Sequence, residues 1–224
     1  MNSFELKMIA IATMLIDHIG AVFLTPNTTI YLIFRSIGRL AFPIFAFLLV
    51  EGFHHTRDPK KYLIRLGMFA LISEIPFDLA FYGDFYWGHQ NIFFTLFLGL
   101  LLIMVMNDIE RRFPKNIITS NAINALLIIS FCIIAFLLKT DYNFLGILLI
   151  TAFYLFRGSK MLLVLSILLI FGTPIGDISI LATLSMVFIA LYNGKKGKSM
   201  KYFFYAFYPA HLLILFLISK YVNF

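Results

Sequence analysis

The chain has 224 residues, of which 61% are hydrophobic, 17% aromatic and only 13% charged, and its mean hydropathy is +0.93. Soluble domains carry roughly 25% charged residues to solvate their surface. The composition therefore excludes a soluble enzyme, a disordered tail, a disulfide-stapled secreted module and a nucleic-acid binder, and it places the chain in a lipid bilayer. The single cysteine, Cys132, lies in an apolar run and cannot close an internal disulfide, and the formal net charge of +7 needs a reading other than nucleic-acid affinity.

The first apolar run, near residues 8–24, comes after Lys7 and carries Asp17 and His18 in its middle. It lacks a small-x-small cleavage site, so it reads as a retained span rather than a signal peptide. The second, near 31–53, contains Arg35, Gly38, Arg39 and Pro43. Pro43 is expected to kink it, and Gly38 to let another backbone approach closely. Further spans lie near 62–82, 91–106, 120–138, 142–156, 161–175, 178–192 and 202–219. The expected fold is all-α: a polytopic integral membrane helical bundle of about nine transmembrane helices, one domain covering residues 1–224. The runs at 142–156 and 161–175 are short for a hydrocarbon core of about 30 Å and suit a tilted or re-entrant pair.

The 18 basic residues distribute unevenly over these passes. Lys7, Arg57, Lys60, Lys61, Arg65, Arg111, Arg112, Lys115, Arg157, Lys160, Lys195, Lys196, Lys198 and Lys201 fall at one face, and only Lys139 and Lys220 at the other. The positive-inside bias makes the first face cytoplasmic, with the N-terminus inside and the C-terminus outside. The net charge then mostly records orientation, with anionic lipid or a phosphorylated cofactor as further partners of the same face.

Ionisable groups within the spans are expensive, and each asks for a partner. At 1.5 Å per residue, His18 lies about 16 Å beyond Lys7 and His211 about 14 Å beyond Tyr202, both near the bilayer midplane. Arg35/Arg39 and Glu74/Asp78 are i,i+4 pairs at similar depths, so two basic groups are expected to face two acidic ones. Asp17 points about 100° away from its neighbour His18 and is assigned to the arginines. His18 is then the group left for proton transfer. Glu51 lies about 18 Å from Arg39 along the axis, near the cytoplasmic face. No metal motif and no glycine-rich phosphate loop is present, and Ser73, Ser130 and Cys132 lack a histidine at helical spacing.

The segments KMIAIATMLIDHIG (residues 7–20), RSIGRLAFPIFAFLLVEGFHHTRDPKKYLIRL (35–66), SEIPFDL (73–79), QNIFFTLFLGLL (90–101) and FYPAHLLIL (207–215) resemble the TraX family of membrane proteins. The resemblance implies an acetyltransferase, since TraX proteins are associated with N-terminal acetylation of pilin and look distantly related to polytopic acyltransferases that take acetyl-CoA from the cytoplasm. It carries the family's Asp-His pair onto Asp17 and His18, its arginines onto Arg35 and Arg39, and its acidic helix onto Glu74 and Asp78. The late histidine falls on His211. The Glu-Gly-Phe and Thr-Arg elements fall on Glu51, Gly52, Phe53, Thr56 and Arg57, and the Gln-Asn pair on Gln90 and Asn91.

The resemblance thus implies an acetyl-CoA-dependent transferase of the cell membrane, with no metal and with lipid and an extracytoplasmic peptide or other small acceptor as partners. Its catalytic set is expected to be His18, Asp17, Arg35, Arg39, Glu74, Asp78 and His211. Its acetyl-CoA set is expected to be Glu51, Thr56, Arg57, Lys60, Lys61, Arg65, Gln90 and Asn91. His18 would act as general base or as acyl carrier, and Arg35 or Arg39 would stabilise the oxyanion. A proton-coupled transporter or a non-catalytic assembly factor for a surface or secreted peptide are the alternatives, because intramembrane carboxylates and histidines also mark ion pathways.

Overall fold

The computed structural model describes residues 1–172 and 179–221, and the predicted features at 173–178 and 222–224, including the end of the seventh span and the C-terminus, lie outside them. The described residues form α1 (Ser3–Phe23), α2 (Thr29–Gly38), α3 (Ala41–His55), α4 (Pro59–Tyr82), α5 (Ile92–Arg112), α6 (Ile117–Leu137), α7 (Asn143–Leu155) and α8 (Lys160–Phe171). A 3₁₀ stretch (Ser179–Leu184) then leads into α9 (Ser185–Ala190) and α10 (Lys201–Tyr221). Strands are absent among the described residues, where Gln90 and Thr140 form an isolated bridge.

Local chemistry explains the boundaries. Asn2 and Glu5 close a capping box at the start of α1. Asp58 caps α4 with Pro59 at its first position, and Gly83 ends that helix in the left-handed region at φ 76°. Asn91 caps α5 by accepting from the Phe93 amide at 3.0 Å.

The expected second span is divided. The break falls at Arg39–Leu40, before Pro43 rather than at it. Pro43 becomes the third residue of α3, where a missing N–H costs nothing, and its ring would clash with the carbonyl four residues back, that of Arg39.

Five helices among the described residues are long and apolar enough to cross a membrane: α1, α2 with α3, α5, α6 and α10. The 24-residue α4 is as long but carries Arg65, Glu74 and Asp78. Helices α7 and α8, with 13 and 12 residues, reach only about 20 Å each. Short α7 survives at depth because protein surrounds it, with Ile147, Leu149, Ile150 and Phe153 at 0–1% exposure against α3, α5 and α6.

Unlike a soluble bundle, this one is apolar on outward faces as well as in its core. Helix α4 exposes Ile64, Met68, Leu71 and Ile75, and α6 exposes Leu126, Ile129, Ile133 and Leu137. Both are one-face stripes at i, i+3, i+4 and i+7 spacing, fit to meet lipid. Polar groups within these spans, such as Asp78, Asn91, Thr95 and His211, are buried.

The connections 56–58, 113–116, 156–159 and 191–200 and the N-terminus gather at one end of the bundle, the basic end. The Ser3 amide donates to the Lys195 carbonyl at 2.8 Å and the Asn193 amide to the Met1 carbonyl at 2.8 Å, so the connection before α10 is stitched to the start of α1. Connections 24–28, 83–91 and 138–142 lie at the opposite end, where the Gln90 amide donates to the Lys139 carbonyl at 3.0 Å and the Asp141 amide to the Gln90 carbonyl at 2.9 Å.

Candidate functional site

Helices α1, α3, α4, α5 and α10 enclose a cavity of about 530 Å³ that runs along the bundle. Its mouth, at the basic end, is lined by Lys7, Arg65, Lys196 and Lys201, with Glu51 and Thr56 nearby on the wall. Aromatic residues including Phe45, Phe93 and Tyr205 line the shaft. At the inner end stand Asp17, His18, Asp141 and Tyr142.

The acid of α1 meets the base of α2. Arg35 donates from Nη1 to Asp17 Oδ2 at 2.7 Å, across the tight α1–α2 contact. That contact exists because residue 38 is glycine: a Cβ there would overlap the Asp17 carboxylate. Arg39, at the break after α2, faces Tyr142, Asp17 and Asp141. Tyr142 holds its place by stacking on Phe42, with ring centroids 4.0 Å apart.

His18 and His211 are partners. His18 Nδ1 lies 2.7 Å from His211 Nε2, and His211 Nδ1 lies 2.7 Å from the Phe207 carbonyl oxygen. A carbonyl only accepts, so His211 carries its hydrogen on Nδ1. In the neutral ring its Nε2 is then the acceptor, and His18 must donate from Nδ1. The pair thereby leaves His18 Nε2 with a free lone pair, and His18 lines the cavity. Edge contacts from Phe81 and Tyr208 hold the ring. Such a chain can accept a proton at His18 and spread the charge toward the Phe207 carbonyl.

The expected facing of Arg35/Arg39 with Glu74/Asp78 is not what the fold builds. Glu74 accepts from the Asn91 backbone amide at 3.3 Å and from its side-chain amide, which also donates to the Ala70 carbonyl at 2.8 Å. Asp78 accepts from the Tyr86 amide at 3.0 Å. Both acids therefore hold the 83–91 connection to α4, and neither forms an ion pair with an arginine among the described residues. The stripe on α4 is legible in the sequence, but the element opposite it is a loop offering N–H donors. Asp141 escapes a reading by spans because it is a short-loop acid at a span end. Its signal is the Asp-Tyr pair at a connection too short to be independent of the helices it joins.

The expected acetyl-CoA residues separate as well. Glu51, Thr56 and Arg65 line the cavity. Glu51 is neutralised by Arg157, whose Nε lies 2.5 Å away. Arg57, Lys60 and Lys61 do not line it, and Lys61 pairs with Asp58 at 3.3 Å. Gln90 and Asn91 belong to the opposite end, where they organise connections. Outside the spans, Asp141, 3.8 Å from Nε2, raises the His89 imidazole above its ordinary pKa.

A family model described as "TraX protein" matches residues 3–219. A relative from Dichelobacter nodosus, named probable fimbrial assembly protein FimC, serogroup H1, is 33% identical over 96% of this chain and 94% of its own length. An uncharacterized protein of Rickettsia prowazekii (strain Madrid E) is 32% identical over 50% of this chain and 40% of its own. No solved structure matches.

Proposed function

Because the chain belongs to the TraX family of membrane proteins, we propose that it is a multi-pass plasma-membrane acetyltransferase that moves an acetyl group from cytoplasmic acetyl-CoA to an amine or hydroxyl presented outside, a pilin-like or other peptide N-terminus in particular. The D. nodosus relative, named for fimbrial assembly, supports a surface-peptide acceptor. The orientation rests on the positive-inside bias, with the basic end in the cytoplasm, nine passes, the N-terminus inside and the C-terminus outside.

The observation that carries the reading is the cavity that joins a cationic mouth to a histidine with a free ring nitrogen. His18 is about 16 Å along α1 from Lys7, so donor and acceptor entering from opposite ends meet inside the bundle. The acceptor nitrogen attacks the thioester carbonyl carbon while His18 Nε2 takes its proton. The tetrahedral intermediate collapses, the carbon–sulfur bond breaks, and the proton passes to the departing thiolate. His211 keeps His18 in the required tautomer and shares the positive charge through its bond to Phe207. Arg35 holds Asp17. Arg39 lends positive potential to the oxyanion from behind Tyr142.

The test uses the purified chain in lipid nanodiscs with radiolabelled acetyl-CoA and a peptide bearing a free N-terminal amine. The expected outcome is label on the peptide, reduced at least about 100-fold in His18→Ala, the lower range for losing a general base. The variant should stay folded, with a melting temperature lowered by the His211 bond it loses. Full transfer by a folded His18→Ala protein would overturn the mechanism. Proton flux without transfer would favour a transporter. The second reading, a non-catalytic assembly factor, takes its support from the relative's name and predicts neither activity.

A further inference from the structure

The cations at the cavity mouth come from three places in the chain: Lys7 on α1, Arg65 on α4, and Lys196 and Lys201 at the approach to α10. None of the four forms an ion pair with a carboxylate among the described residues. The mouth's own acid, Glu51, is already taken by Arg157. Arg65 Nε is buried without a hydrogen-bond partner, although its guanidinium sits over the Tyr62 ring at 5.8 Å. Lys7 lies over the Phe204 ring at 5.4 Å, with Lys196 as its electrostatic neighbour.

Like charges gathered without an anion repel, and the fold spends structure on gathering them. The connection carrying Lys196 is pinned to the start of α1 by the Ser3–Lys195 and Asn193–Met1 backbone bonds. Gly194 and Gly197 flank Lys196 at φ 76° and 68°, a left-handed conformation that a side chain would strain. Gly197 also lies against Asn2 and Phe4 of the N-terminal turn, where a Cβ would collide. A solvated positive-inside loop needs no such construction. Residues 57–61 show the contrast, being exposed for the most part, off the cavity wall and partly paired through Asp58.

We propose that Lys7, Arg65, Lys196 and Lys201 form a phosphate-ester binding site at the cavity mouth, built by the 191–201 connection, that holds the phosphorylated nucleotide of the acyl donor. The site deepens the acyltransferase reading and rests on it for the identity of the donor. Phosphate esters also occur on lipid headgroups; the aromatic lining that runs from these cations to His18 favours the nucleotide, whose acyl arm it would take.

Adenosine 3′,5′-bisphosphate, which carries the 3′-phosphate and the inner 5′-phosphate of acetyl-CoA without its acyl arm, is the probe, titrated against the full chain in nanodiscs of zwitterionic lipid. Lys196 and Lys201 are exposed, so Lys196→Gln/Lys201→Gln should fold; Lys60→Gln/Lys61→Gln removes equal charge from the neighbouring loop. The first pair should weaken binding about tenfold or more, as expected for losing charge-assisted hydrogen bonds, and the second less than about twofold. Raising salt should shrink the wild-type advantage. Equal losses in the two pairs, or none in the first, would overturn the site. If adding phosphatidylglycerol at constant ionic strength abolishes bisphosphate binding, a lipid headgroup is the occupant and the nucleotide assignment falls. Bisphosphate binding with no acetyl transfer would keep the phosphate site and refute the transferase. Acetyl transfer with no bisphosphate binding would do the reverse.

Discussion

Asp17 on α1 and the Glu74/Asp78 stripe on α4 carry the same kind of side chain and meet different partners. On α1, Asp17 meets a guanidinium at 2.7 Å, in a contact tight enough that residue 38 must be glycine. On α4, Glu74 and Asp78 meet amides of the 83–91 connection and no cation within ion-pair distance among the described residues. The first arrangement joins two helices beside His18, and the second fastens a connection to the end of one. Spacing within a helix tells which residues share a face. What that face meets depends on which helix or loop the chain packs there, and a backbone N–H can hydrogen-bond a carboxylate where no arginine is packed against it.

The comparison breaks most readily at Asp17. Asp17→Asn leaves Arg35 with an uncompensated charge in a low-dielectric setting, and because the pair is partly exposed the expected loss is about 3 kcal/mol, the lower range for splitting a buried pair. Thermal denaturation in detergent should show it as a clear drop in melting temperature, and Asp17→Asn/Arg35→Gln should recover part of the loss. Were Asp78→Asn as damaging as Asp17→Asn, the two regions would not differ as described.

A smaller effect belongs to the amide side. Asn91→Ala removes the side-chain donor to Glu74 and to the Ala70 carbonyl and the cap of α5, for about 1–2 kcal/mol. Hydrogen exchange should speed at residues 83–91 and leave the α1–α2 contact protected. Loss of protection across α1 and α2 would mean that the two regions act as one network.

The smallest effect is a pH dependence at the same end. His89 has its pKa raised, chiefly by Asp141, so it binds a proton more tightly folded than unfolded. That stabilisation is fully present below the unfolded value near 6.5 and is lost as pH rises through the higher folded value. Both side chains are about one-third exposed, so the effect should stay under about 1 kcal/mol. Melting temperatures taken between pH 5.5 and 8.5 should fall slightly more in the wild type than in His89→Gln, and identical curves would remove the pair from the account.

The amino-acid order alone determined the membrane class, the approximate places of the helices, though α1 starts five residues earlier and α5 ends six later than expected, and the gathering of fourteen cations at one end. Those are local properties: run length, hydropathy and the parity of the passes are all counted along the chain. It also determined that Asp17 would turn from His18 toward an arginine, since 100° per residue is a property of a single helix. Only the tertiary structure decided that His211, 193 residues away, sets the tautomer of His18. It likewise decided that Arg39 faces Asp141, that the helix break precedes Pro43, and that Lys196 rather than Lys60 stands at the cavity mouth. Each of these depends on which surfaces meet across the bundle, and in lipid that choice is made by close packing and by satisfying buried polar groups, which leave no periodic mark on the sequence.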